Sequence, residues 1–238
     1  ISSMYYMMEA CAENNIEFMV LDRPNPNGDY VDGPVLDMQL KSFVGIIPIP
    51  IVHGCTVGEL AKMINGEKWL TNGVQCNLSV VPVKYYTHSV IYELPIPPSP
   101  NLPNQLSVRL YPSLCFFEAT NISIGRGTPF PFQVIGYPNN LDGKFSFMPK
   151  SIKNKSSKPL HENVFCKGID LRELKKIPTF TLKYFIEYHQ KFENPTEFWK
   201  SRRWIDLLSG DSNFYTQMND GYTEEEIRKT WQNDLISY

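Results

Sequence analysis

Met4, Met7, Met8, Cys11 and Ala12 recur at helical spacing, and Asn14-Asn15 closes the run, so an amphipathic helix is predicted over residues 2–14. Glu17-Phe-Met-Val-Leu-Asp22 follows, a short apolar run ending in a carboxylate, which reads as a buried strand. The next loop, Asp22-Arg-Pro-Asn-Pro-Asn-Gly-Asp-Tyr30, offers Asp22, Asn25 and Asn27 and is stiffened by Pro24 and Pro26. Loops at the carboxyl ends of strands in open α/β sheets carry ligands, although Asn, Pro and Gly also simply build turns. Ile46 to Val52 is apolar but broken by Pro48 and Pro50, so it predicts an edge strand or extended segment that delivers His53. Thr56-Val-Gly-Glu59 has the form of a capping box, and Leu60, Met63 and Ile64 continue that helix to Gly66. Asn77 to Val83 reads as another strand. Alternation of helix and strand over residues 1–90 argues for a mostly parallel sheet.

The pattern breaks at Glu93 to Asn104, ELPIPPSPNLPN, whose five prolines predict an extended connection. It is either a domain boundary, separating 1–92 from 93–238, or a substrate-lining loop. Beyond it, Tyr111 to Ala119 predicts a short helix with Pro112 in its first turn, and Thr120 to Thr128 a polar, glycine-bearing loop. Short strands are expected near 132–136, 144–148 and 163–170, and Lys150 to Lys158 reads as a solvated basic loop. The chain then turns helical, over 181–192, 197–208 and 211–218. Thr223-Glu-Glu-Glu226 opens a last helix carrying Ile227, Trp231 and Leu235 on one face. The expected class is therefore α/β, with a second, smaller α/β (α+β) unit and a helical C-terminus.

Composition narrows the function classes. A net charge of −2 over 238 residues excludes a strongly cationic nucleic-acid binder as the default. Hydrophobic residues at 42% suffice for a core, and no apolar run is long enough for a transmembrane helix. Five widely spaced cysteines without a CxxC pair argue against a disulfide scaffold or zinc ribbon and for small buried hydrophobes. The chain opens on Ile1 within a helix, which suggests a piece of a longer polypeptide, so the lack of a leader is uninformative about location.

No HExxH, P-loop or GxSxG is present, and the four histidines (53, 88, 161 and 189) are scattered. Gly125-Arg-Gly127 is only part of a dinucleotide fingerprint. Neither metal nor cofactor is expected. Cys55 beside His53 is the one local thiol–imidazole pairing. Carboxylates beside polar loops (Asp22, Asp32, Glu59 and Glu118) are the stronger signal, because glycosidic hydrolysis needs a proton donor and usually a second carboxylate. Glu118 follows Phe116-Phe117 and precedes Thr120-Asn121; apolar neighbours would raise its pKa toward general-acid use. The alternative is an ordinary ion pair with Arg109 or Arg126. Aromatics and amides cluster near these loops, among them Tyr86, Asn101, Tyr111 and Asn121, as sugar sites require; with 13 Tyr and 14 Phe, plain packing is the alternative. Arg126, between two glycines, suits bidentate capture of a carboxylate or bracing of its own loop.

Several ordered stretches carry a resemblance: Val20-Leu-Asp-Arg-Pro-Asn-Pro-Asn27, Val31-Asp-Gly-Pro34, His53-Gly54 with Thr56-Val-Gly-Glu-Leu-Ala61, and Pro98-Ser-Pro-Asn-Leu-Pro103. Leu110-Tyr-Pro-Ser-Leu114, Glu118-Ala-Thr-Asn121, Gly125-Arg-Gly-Thr128 and the closing Trp231 to Leu235 continue it. Together they resemble the exo-β-N-acetylmuramidase (NamZ) family of bacterial glycoside hydrolases; Ala119, where Gly is more usual, is a small departure. The resemblance implies part of a Rossmann-like domain followed by a smaller α/β domain, with the active site in the cleft between them. It implies removal of terminal N-acetylmuramic acid from the non-reducing ends of peptidoglycan fragments, without metal or nucleotide, by a periplasmic or extracellular protein. It places the family's proposed catalytic Glu upstream of the residue matching Ile1, so that role transfers to no residue here. What transfers is an expected set of sugar contacts. Asp22, Asn25, Asn27 and His53 would come from the first domain, and Asn101, Asn121 and Arg126 from the second. Arg126 would meet the lactyl carboxylate, and Glu118 would act as the second carboxylate or as a hydroxyl acceptor. The competing readings are a non-catalytic peptidoglycan-binding module and a hydrolase of another bond using Cys55 or a serine.

Overall fold

A computed structural model describes residues 1–238. The chain divides into two compact units. One comprises Ile1–Tyr92 with Gly210–Ser212 and Trp231–Tyr238; the other comprises Glu93–Ser209 with Asn213–Thr230. Two stretches of the C-terminal third thus belong to the first unit.

In the first unit, helix α1 (Ser2–Glu13) leads into strand β1 (Glu17–Leu21). Strands β2 (Asp32–Val35) and β3 (Pro50–Val52), helix α2 (Val57–Gly66) and strand β4 (Asn77–Val81) follow. β1 and β4 pair in parallel, from Glu17 opposite Asn77 to Leu21 opposite Val81. Helix α2 supplies the crossover that parallel pairing requires. Tyr5 and Met8 of α1, Val20 of β1, and Leu60, Ala61 and Ile64 of α2 bury their side chains together with Ile46, Ile47 and Leu70. Burial of that apolar area is what holds the two helices on the strands. β2 and β3 form an antiparallel pair: the apolar run before His53 supplies β3 as an edge strand, while β2, which carries Gly33 and Pro34, was not predicted. Gly33 has φ +87, and the register slips between Asp32 and Val35, so the strand accommodates these residues by bulging. The first unit is therefore α/β with a small parallel sheet, as the alternation predicts, and the β2–β3 pair forms a separate antiparallel ribbon. Only the end of the apolar run at 46–52 forms a strand, with Leu36 N donating to Ile49 O just before it.

The second unit opens with helix α3 (Gln105–Leu114), six residues earlier than the pattern suggested. The side chain of Asn104 accepts from Ser107 N, the reciprocal bond completes a capping box, and Pro112 falls near the end of the helix. A 3-10 turn (Cys115–Ala119) continues it. Strands β5 (Val134–Tyr137), β6 (Phe145–Phe147) and β7 (Cys166–Asp170) form an antiparallel sheet in the order β5-β7-β6. Helices α4 (Lys183–His189), α5 (Pro195–Phe198), α6 (Arg202–Ser209), α7 (Phe214–Asn219) and α8 (Glu224–Ser237) complete the chain. Much of the aromatic content is spent here on packing. Phe117 lies 5.0 Å from Phe185, Phe116 5.2 Å from Phe214 and Phe185 5.3 Å from Phe198, centroid to centroid. All five cysteines are free, and no helix is long and apolar enough to cross a membrane.

Candidate active site

Phe116 and Phe117 are fully buried and anchor the 3-10 turn, which leaves Glu118 at the apolar-to-polar edge with 22% of its side chain exposed. Arg126 reaches it from the following loop, placing Nη1 2.9 Å from Glu118 Oε1. The two glycines around Arg126 make this approach possible. Gly125 (φ +78) and Gly127 (φ +82) adopt left-handed conformations. A Cβ on Gly125 would lie 2.6 Å from Val134 Cγ2, and one on Gly127 2.7 Å from Lys150 O. Thr128 pins the turn, its hydroxyl donating to Gly125 O at 2.6 Å. Burial raises the Glu118 carboxyl above the usual carboxylate range, and the Arg126 guanidinium opposes that rise.

Glu118 and Arg126 line a groove of about 350 Å³ together with Asn101, Lys155, Lys158 and Lys200. Asn101, Glu118 and Arg126, all predicted from sequence, thus come together. Asn101 braces the wall, its Nδ2 donating to Lys155 O at 3.1 Å. The basic segment at 150–158 is more than the solvated loop its composition suggested. Ile152 and Ser156 exchange backbone hydrogen bonds of 2.9 and 3.0 Å, and Lys150 N donates to Gly127 O. These bonds fold the segment into one side of the groove. Asn121 is placed elsewhere: its Nδ2 donates to Glu197 O, its N–H to Phe198 O, and its carbonyl accepts from His161 Nε2. It fastens the loop to α5 and does not line the groove.

Asp22, Asn25, Asn27 and His53 lie in the first unit. Asp22 caps α2, accepting from Gly58 N at 2.7 Å through Oδ1 and from the Thr56 hydroxyl at 2.8 Å through Oδ2. Asn25 ties two loops, donating to Cys55 O and accepting from Asn27 N. Both roles are turn-building, which residue type alone left open. Burial holds the His53 imidazole down to about 4, and Nδ1 accepts from Cys55 N. Burial also pushes the Cys55 thiol up, and its sulfur lies 3.3 Å from Tyr238 Oη. A neutral thiol beside an imidazole already occupied by a backbone amide is not an activated nucleophile.

Glu59, singled out in the sequence both as a helix-capping residue and as a carboxylate beside a polar loop, has a partner that the sequence did not reveal, His88. Glu59 Oε2 accepts from Thr56 N at 2.8 Å, while Oε1 faces His88 Nε2 at 3.0 Å. His88 Nδ1 faces Gly28 O at 2.9 Å. Both ring nitrogens meet acceptors, so the doubly protonated imidazolium satisfies both contacts, and Glu59 followed by the Gly28 carbonyl raises the His88 pKa. The capping box was the legible signal; a partner 29 residues away was not.

Residues 1–106 match the family described as exo-beta-N-acetylmuramidase NamZ, N-terminal, and residues 109–238 match its C-terminal counterpart. A curated peptidoglycan beta-N-acetylmuramidase NamZ of Bacillus subtilis (strain 168) is 35% identical over 259 residues. That alignment takes in 100% of this chain, and the chain spans 61% of the length of that relative. Two crystal structures of DUF1343 family proteins from Bacteroides fragilis NCTC 9343 share the fold. One has a TM-score of 0.92 at 45% identity, the other 0.81 at 27%; each alignment covers 99% of this chain and 67% of the other.

Proposed function

Because the chain belongs to the exo-β-N-acetylmuramidase NamZ family, we propose that the protein is a glycoside hydrolase releasing terminal N-acetylmuramic acid from the non-reducing ends of peptidoglycan fragments. The observation that carries this reading is the match of both family halves, in order, along the chain. The groove of the second unit fits the chemistry. Glycosidic cleavage requires a proton at the departing oxygen and stabilisation of positive charge on the ring. Glu118, with its carboxyl raised by burial, is the candidate catalytic residue of this unit, as proton donor, second carboxylate or hydroxyl acceptor. Arg126 holds its carboxylate in one orientation. Asn101 and the lysines supply donors suited to sugar hydroxyl, acetamido and carboxylate groups. The parallel crossover of β1, α2 and β4 supports reading the first unit as part of a Rossmann-like domain, and a cell-wall substrate supports a periplasmic or extracellular location.

The test is direct. The full-length protein is incubated with peptidoglycan fragments ending in N-acetylmuramic acid, and the products are weighed by mass spectrometry. Free N-acetylmuramic acid and a fragment shorter by one sugar are expected. Binding of the fragments without release would overturn the hydrolase and favour a peptidoglycan-binding module.

A further inference from the structure

Four cationic side chains (Arg126, Lys155, Lys158 and Lys200) and one carboxylate (Glu118) line the groove, in a chain whose net charge is −2. This concentration of positive charge runs against the balance of the whole molecule. Arg126 is already engaged by Glu118 at 2.9 Å. Lys155, Lys158 and Lys200 pair with no carboxylate of the chain. All three are exposed at the groove wall, and backbone hydrogen bonds hold the segments that carry them. Lys155 N donates to Ile152 O and Lys155 O accepts from Asn101 Nδ2. Lys158 is held at φ +50 with its N–H on Ser151 Oγ, and Lys200 N donates to Ala119 O, next to Glu118. A positively charged rim on a preformed wall attracts an anion and selects among otherwise similar sugars.

We propose that Lys155, Lys158 and Lys200 form an anion-reading rim, which gives the groove its preference for a sugar bearing a carboxylate over the same sugar without one. The inference rests on the function proposed above and deepens it. The lysines meet the acidic substituent, while the Glu118–Arg126 pair stays intact beneath it. Arg126 is thus a positioning residue for Glu118 and not the main discriminator.

The experiment replaces all three lysines with glutamine in the full-length protein, with K158Q and K200Q made singly beside it. kcat/KM is measured on chromogenic β-glycosides of N-acetylmuramic acid and of N-acetylglucosamine. The triple variant is expected to lose about tenfold more on the muramic acid glycoside than on the glucosamine one, mostly in KM. The wild-type preference should also weaken on going from about 0.05 to 0.5 M salt. An unchanged ratio in the triple variant overturns the rim. If the wild-type protein cleaves neither glycoside, the hydrolase reading fails, and the rim is then read by calorimetry with free N-acetylmuramic acid and N-acetylglucosamine. A wild-type preference for the acid that disappears in the triple variant supports it. No preference, or one that survives the substitutions, overturns it.

Discussion

Arg126 Nη1 sits 2.9 Å from Glu118 Oε1, although the two residues start from different turns eight positions apart. The contact joins a carboxyl that burial drives toward protonation to a guanidinium that resists the change. The balance between these opposing influences sets the pH at which Glu118 gives up its proton.

Removing the guanidinium should tip that balance. In R126Q the Glu118 pKa rises further, so whichever limb of the pH–rate profile Glu118 controls moves to higher pH. The profile of kcat/KM on a muramic acid glycoside checks this. E118Q should abolish that limb and lower turnover by about a hundredfold or more; unchanged turnover would remove Glu118 from the chemistry.

Asp22 is expected to act through stability. D22A strips Gly58 N and the Thr56 hydroxyl of their acceptor and should cost about 1–2 kcal/mol. G58A places a Cβ 2.7 Å from both Asp22 Cγ and Val80 Cγ1, so it should cost about 1–3 kcal/mol by forcing the cap and β4 apart. Both changes strike one contact, so the double variant should lose less than the sum. Urea midpoints measure all three; strict additivity would refute the shared contact.

His53 makes folding sensitive to mild acid. Its folded-state pKa of about 4 lies below the ordinary 6.5. The unfolded chain therefore takes up a proton first as the pH falls. The contribution is fully present above 6.5 and is lost as the pH falls toward 4, amounting to at most about 3 kcal/mol. Denaturant unfolding at pH 7.5 and 5 should show wild type weakening and H53Q changing less. Equal pH dependence in both would exclude His53 as the source.

Local patterns were legible because their causes are local. The spacing of Met4, Met8 and Ala12 predicts α1, and Thr56 with Glu59 marks the start of α2 within four residues. Phe116-Phe117 beside Glu118 announces a carboxyl at an apolar edge, and the structure places it there. α3 was misjudged at its start because the proline-rich run hid Asn104, whose capping role shows only once Ser107 returns its bond. Asp22 and Asn121 were noticed for their chemistry but not for their partners, Gly58 N 36 residues away and Glu197 O 76 residues away.

The sequence by itself determined most of the stretches that become helix or strand and which residues carry usable chemistry, since both depend largely on near neighbours and on side-chain type. Only the tertiary structure decided who meets whom. Arg109 and Arg126 were equal candidates for Glu118, yet Arg109 is buried with its Nε on Pro178 O, 69 residues on, while Arg126 turns to the carboxylate. That choice follows from the close packing around Gly125 and Gly127 and the depth at which each guanidinium ends up, and side-chain packing between distant segments leaves no mark in local periodicity.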